Sequence, residues 1–429
     1  MPRLRLLLIP LLTACAPDAF AQNALAGRVA AAPAGPVQFT FAAREGVCGN
    51  GRSYLSTAPG SFTGSFTTSV DETVRNDPCV AGPVRVVLGR ADGQVLSVDT
   101  YVGPPNSTDG ATDLGRVTAR EASAYLLDLA RRAEGTPSRA AILPAVLADS
   151  AEPWPALLEL ARDVDRPLET RRSAIGWLAR GIGGARIDEA RAKDALLALA
   201  RDRGDRQEVR ARALGALARL EPGGIPAVTP LVGQADDPWL AREAMTTLSS
   251  SGDPRARHFL REAAQQSSLS PELQRVAVRG LGRSSYATGE DIDALRALLD
   301  RTTTSEVREE IVRVIGAVGG RENARWLLGV AKRETEPASL RRAALRAAMR
   351  GDVDVRELVA LYDATGERAM RQEVINLLAQ RTEPVATDKL IAIARSGDDR
   401  TLQRAAISRL SRSDEPRVRA ALEGIVGKP

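Results

Sequence analysis

The chain has 429 residues, enough for more than one domain. Its 44% apolar and 26% charged residues are the proportions of a folded soluble protein, which excludes a disordered or fibrous chain. A net charge of +5, set against 59 basic and 54 acidic residues, argues against the concentrated basic patch of a nucleic-acid binder.

Met1–Ala21 reads as an export signal. Arg3 and Arg5 give a positive start, Leu6–Leu12 an apolar run, and Ala19-Phe20-Ala21 a small-x-small cleavage pattern before Gln22. The run is too short for a permanent membrane span. A second reading stays open: Leu12-Thr13-Ala14-Cys15 resembles a bacterial lipobox, in which Cys15 would be lipidated and become the new N-terminus. In either case the chain is expected in the periplasm or cell envelope. A buried first helix is disfavoured by Pro17 and Asp18, which interrupt the apolar run.

From Gln22 to about Arg116, Gly, Pro, Ser, Thr and Val dominate and no helical period persists. Val37–Phe41 alternates as a half-buried strand does, and Ser61–Val70 is rich in Thr, Phe and Ser. Pro83–Leu88 and Gln94–Val102 are Val-rich runs joined across Asp92-Gly93, a strong hairpin signal. These features predict a small antiparallel β-domain over residues 22–118, including a polar linker at Pro104–Asp113. Asn106-Ser107-Thr108 within that linker is an acceptor sequon that an ordinary bacterial envelope protein does not use. Cys48 and Cys79 remain if Cys15 is removed or lipidated, and in an exported chain they read as a disulfide. The glycines of Gly46–Gly51 require a tight turn with positive φ, which the disulfide suffices to explain without a ligand.

From Ala119 to the end the chain is helical and periodic. In Glu272–Gly282, with Leu273 as position 0, Ala277, Val278 and Leu281 fall at +4, +5 and +8 on one helix face. The frame recurs with position 0 at Thr170, Val209, Leu240, Val307, Leu340, Met370 and Leu402, and more weakly at Pro137. Consecutive full copies are spaced by 39, 31, 33, 34, 33, 30 and 32 residues. Such a period means a stack of helix pairs. Trp154–Arg162, Asp188–Arg201, Ala256–Ala264, Asp291–Leu299, Glu322–Lys332 and Lys389–Arg395 are predicted as first helices of pairs. Asp237, Asp253 and Ser270 precede prolines as N-caps, and Pro416–Val426 is an unpaired terminal helix able to cover the last pair.

The strings Glu208–Leu217, Glu306–Gly316 and Leu402–Leu410 resemble HEAT repeats, in particular the bacterial kind called PBS-lyase-like. The resemblance covers roughly 300 residues and leaves the β-domain outside it. It implies a curved α-solenoid whose second helices line the concave face, and a binding role more than an activity. The expected fold is therefore α+β and multidomain: an all-α HEAT-type solenoid of about 8–9 helix pairs over residues 119–429, preceded by the small β-domain.

Chemistry is sparse. His258 is the single histidine and its neighbours offer no nucleophile or metal ligand, so no catalytic, cofactor or metal site is expected. Asp236-Asp237 and Asp398-Asp399 lie at helix starts, where capping explains them. The repeated arginines carry two readings. Arg172, Arg242, Arg275, Arg342 and Arg404 share position +2, and Arg210, Arg308, Arg341 and Arg371 share +1. They make either a surface for an acidic partner or salt bridges between repeats. Trp177 and Trp239 are candidate anchors for a partner. The function expected is a non-enzymatic, exported scaffold that binds a protein or peptide. The alternatives are a lyase-type HEAT enzyme and nucleic-acid binding through the arginines.

Overall fold

The computed structural model describes residues 17–52, 54–57, 67–69, 79–104, 110–180, 189–220, 222–283, 285–351, 353–396 and 398–426. Arg3, Arg5, Leu6–Leu12 and Cys15, the sequon at 106–108 and most of Ser61–Val70 lie outside them. The fold is α+β. It divides into two compact units, residues 1–244 and 245–429.

Unit 1 opens with helix α1, Pro17–Ala31, where the sequence predicted no lasting helix. Pro17 is the first helical residue, a position where its missing N–H costs nothing, so it starts the helix instead of breaking it. Leu25 and Val29 are buried, and both follow the expected cleavage point at Ala21. Arg90 donates to the carbonyl of Val29 in the last turn of α1 and to those of Ala32, Pro33 and Gly35 beyond it, which supplies partners for acceptors left open where the helix ends.

Two four-stranded sheets follow. The first contains β1 (Val37–Phe41), β6 (Val84–Ala91), β7 (Gln94–Val102) and β8 (Thr112–Arg116) in the order β7-β6-β1-β8. The second contains β2 (Val47–Gly49), β3 (Tyr54–Thr57), β4 (Thr67–Ser69) and β5 (Val80–Ala81) in the order β4-β3-β2-β5. All pairings are antiparallel except β1 with β8, so the last two residues of the expected linker, Thr112 and Asp113, begin a parallel edge strand. The hairpin turns at Asp92 (φ 51°) and Gly93 (φ 75°), the left-handed pair its sequence demands. Val37, Phe39, Phe41, Val84, Val86 and Leu88 are fully buried, as alternation requires. The Cys48–Cys79 disulfide holds β2 beside β5, with Cα atoms 5.1 Å apart.

The sheets do not stand apart from the helices. Phe39 meets Tyr125 of α2 (Ala119–Arg132) edge-on at 6.2 Å. Buried Arg44 donates to the Val146 carbonyl at 2.9 Å and to that of Ala151. The first repeat, with α3 (Gly135–Ala140) and α4 (Ile142–Leu147), thus shares a core with the β-strands. It is followed by α5 (Trp154–Arg162) on α6 (Leu168–Leu178) and α7 (Glu189–Arg201) on α8 (Gln207–Leu217). The next first helix is only α9 (Gly224–Val228) plus a 3-10 turn, Thr229–Gly233. Pro230 lacks the N–H an α-helix would need there. The division between units falls inside α10, Pro238–Ser249.

Unit 2 continues with α11 (Pro254–Gln265) on α12 (Pro271–Leu281), then α13 (Gly289–Arg301) and α14 (Ser305–Val318). After them come α15 (Arg321–Lys332) with α16 (Ala338–Ala348), α17 (Val355–Ala364) with α18 (Arg368–Leu378), and α19 (Pro384–Ser396) with α20 (Arg400–Leu410). The second helices α12, α14, α16, α18 and α20 pack on one another in succession. Terminal α21, Pro416–Val426, lies against α19 and α20 and buries Val418 and Ala421.

The 0, +4, +5, +8 stripe is the core of the array. Val209, Ala213, Leu214 and Leu217 are each 0% exposed, as are Met370, Val374, Ile375 and Leu378. Leu273 departs from the pattern and is only half-buried, while Gln274 and Val276 beside it are buried. Asp237, Asp253 and Ser270 accept backbone N–H bonds at the expected helix starts.

Candidate functional site

The two arginine positions have different fates. At +1 the guanidinium points inward. Arg171, also at +1, is 2% exposed; its Nε donates to the Ala161 carbonyl at 3.0 Å and it pairs with Asp205 of the next loop. Arg210 repeats this with the Ala200 carbonyl at 2.9 Å and Asp237. In unit 2, Arg341 uses the Ala331 carbonyl at 3.0 Å and Glu367 at 3.0 Å, and Arg308 reaches Glu336 at 2.6 Å. Arg371 donates to the Thr365 carbonyl at 2.7 Å. Where +1 is glutamine, its amide replaces the Nε: Gln274 donates to the Gln266 carbonyl and Gln403 to that of Ala394. These groups satisfy the open carbonyls at first-helix C-termini and tie each pair to the next.

The acids respond accordingly. Burial pushes the Asp205 and Asp237 carboxyls up, but hydrogen bonds from their arginines and from backbone N–H groups outweigh it and hold both below the ordinary range. Asp291, 0% exposed, behaves alike under Arg257, Arg261 and the Thr288 capping box.

The +2 arginines stay at the surface. Arg242 and Arg404 are exposed, Arg275 is half-buried, and Arg342 donates weakly to the Ala338 carbonyl of its own helix at 3.3 Å. Arg172 pairs with Glu169 at 2.8 Å, one turn away, while its own Nε is buried without a partner. Trp177 is 6% exposed, so its ring is a platform for the Arg180 guanidinium, 4.9 Å from the centroid. Trp239 is half-buried under Arg210 at 4.3 Å and lines a shallow hollow of about 500 Å³ with Arg206, Gln207, Glu208 and Ala211. His258 is an exposed residue of α11, 3.3 Å from Glu262. Among the described residues no three His, Cys, Asp or Glu side chains group as metal ligands would.

The structure adds three residues that the repeat frame did not single out. Arg180 and Arg219 both occupy +10, just beyond the ends of α6 and α8, and Arg212 lies at +3 on α8. With Arg172 they make one basic cluster. The Arg212 Nε donates to the Arg172 carbonyl at 3.0 Å, and its terminal nitrogen lies 2.2 Å from where a Cβ on Gly176 would be. The recurrence at +10 was readable, since Arg283, Arg350 and Arg412 share it in unit 2. The hollow at Gly176 was not.

Comparison with known proteins agrees with the repeat assignment. Residues 194–269 match the family model described as HEAT repeats. No curated protein matches the chain. Among solved structures, human deoxyhypusine hydroxylase in complex with glycerol is 20% identical with a TM-score of 0.24, over 60% of this chain and 94% of that one. The complex of CpcE and CpcF of phycocyanin lyase from Nostoc sp. PCC7120 is 17% identical with a TM-score of 0.23, over 63% and 94%. Kap121p bound to Ste12p is 15% identical with a TM-score of 0.30, over 72% of this chain but only 33% of its own. At such identities and scores none of the three bears on activity. The matched segment, continued on the same frame by the helix pairs around it, shows that the chain contains HEAT repeats.

Proposed function

We propose that the protein is a non-enzymatic, exported scaffold that binds a protein or peptide through the outer residues of its second helices. One observation carries this reading. The stripe and the +1 groups are consumed by packing, whereas arginine stands at +2 in five of the eight full copies and at +10 in five, each half-buried or exposed. A periodic display of side chains on a rigid support is what an extended partner can engage. The Cys48–Cys79 bridge is compatible with an oxidising compartment, and cleavage after Ala21 would keep the part of α1 that packs. If Cys15 is lipidated instead, the whole of α1 follows the anchor closely. Among the described residues no helix is long and apolar enough to cross a membrane.

Selection of a displayed random peptide library on the mature chain tests the binding role. The expected result is an enriched consensus whose synthetic peptide binds saturably. Absence of any enriched sequence would sink the scaffold reading. Recovery of the chain in the cytosol would sink the export reading.

A further inference from the structure

We propose that Arg172, Arg180, Arg212 and Arg219 form the docking site for a carboxylate-rich segment of a protein partner. This rests on the scaffold reading above and gives it a place and a ligand chemistry. The cluster lies on α6 and α8, second helices of successive repeats that pack directly on each other.

Charge balance is the first argument. Arg171 and Arg210, on the same two helices, each have a dedicated aspartate. Among the described residues the four outer guanidiniums have only Glu169, bonded to Arg172. Partial burial, then the like charges of Arg219, Arg180 and Arg172, hold Arg212 below its usual value, with Glu169 alone opposing them. Arg219 is lowered in the same direction, by partial burial first and then by Arg180. Gathering four like charges costs free energy, which an incoming anion would recover.

Preorganisation is the second argument. The Arg212 Nε is held by the Arg172 carbonyl, and its terminal nitrogen fills the space over Gly176 that a Cβ would take. Arg180 is stacked on buried Trp177. Planar forks held in place recognise carboxylates two bonds at a time and lose little side-chain freedom on doing so. The bland account is that Arg180 and Arg219 balance the negative ends of α6 and α8. It leaves Arg172 and Arg212, which lie within the helices, unexplained. A nucleic-acid backbone is the poorer fit, because four guanidiniums confined to one pair of helices offer no track along a strand.

The test is fluorescence anisotropy with the full mature chain and a labelled hexaglutamate peptide, beside an equally long glutamine peptide and a single-stranded oligonucleotide of equal charge. The glutamate peptide should bind and the glutamine peptide should not. Arg180→Glu and Arg219→Glu should each weaken binding by about tenfold or more, with added salt weakening it further. Arg219 is exposed, so its variant should fold, and an unchanged melting temperature would verify this. Arg301→Glu, an exposed arginine on first helix α13 of unit 2, should leave binding unchanged. Equal binding of both peptides, or binding indifferent to Arg180→Glu and Arg219→Glu, would overturn the proposal. So would tighter oligonucleotide binding lost in the same variants. If a library-selected peptide binds regardless of both substitutions, the scaffold reading survives and this site does not.

Discussion

Arg257 and Asp291 show what the polar side chains of this protein do when they leave the surface. Arg257 donates to the carbonyls of Gly280 and Leu281 at 2.7 and 2.6 Å and to Asp291 at 2.5 Å. Breaking such a pair leaves a buried charge without its counter-ion, so Asp291→Ala should cost about 3–5 kcal/mol, read from urea unfolding. The acid limb follows from the same groups. Asp205, Asp237 and Asp291 sit below their ordinary values when folded, so folding suppresses proton binding as the pH falls. Their contribution is complete above the unfolded-chain value of about 4 and is lost as the pH drops through the folded values. The urea midpoint should therefore be nearly level from pH 7 to about 5 and fall below about 4, less steeply in Asp291→Ala. A level midpoint down to pH 3 would contradict this account of the buried acids.

Helix-to-helix distance is decided by small residues that the frame only partly marked. A Cβ on Gly316 of α14 would meet the Ala347 Cβ of α16 at 2.6 Å, whereas one on Gly329 of α15 would meet nothing within 4 Å. Gly316→Ala should destabilise by about 1–3 kcal/mol through forced separation of the two helices. Gly329→Ala should be neutral or stabilise by up to about 1 kcal/mol, since alanine is the better helix former. The same denaturation experiment on both variants distinguishes packing from propensity. At Gly176 the obstructing atom is the far end of the Arg212 side chain and not backbone, so Gly176→Ala should spare stability while displacing that guanidinium. The disulfide acts on its sheet in a different way. It closes a separation of 31 residues, and its reduction should lower stability by roughly 3–4 kcal/mol, seen as a lower melting temperature with reductant. If both cysteines alkylate without reductant, the bridge is absent in solution.

For the molecule as a whole, the end of the array is as informative as its middle. Leu410 is 2% exposed and α21 supplies Val418 and Ala421 to the last pair. A chain ending at Glu415 should expose that apolar surface, lose about 2–4 kcal/mol of unit 2 stability and self-associate, measurable by light scattering. Unchanged melting and a monodisperse sample would show that α21 is dispensable. The β-strands raise the opposite issue, because residues 22–118 do not form a compact unit of their own. Phe39 packs on Tyr125, Arg44 bonds the Val146 carbonyl within α4 and the Ala151 carbonyl after it, and β8 takes the last two residues of the anticipated linker into the sheet edge.

By itself, the sequence determined the helix pairs, their stripe, the hairpin at Asp92-Gly93 and the pairing of Cys48 with Cys79. Each of these depends on periods, turn residues or cysteine arithmetic confined to one stretch or one residue type. Tertiary structure alone decided that α1 begins at Pro17, that β8 lies parallel to β1, and that +1 arginines turn inward while +2 arginines stay outside. It also decided that Arg212 lies over Gly176 and feels the charges of Arg172, Arg180 and Arg219. The physical reason is one of range. A helical period fixes which face of a helix is buried, but whether a charged group at its margin finds a carbonyl, an acid or solvent depends on the neighbouring repeat, about 33 residues away in the chain.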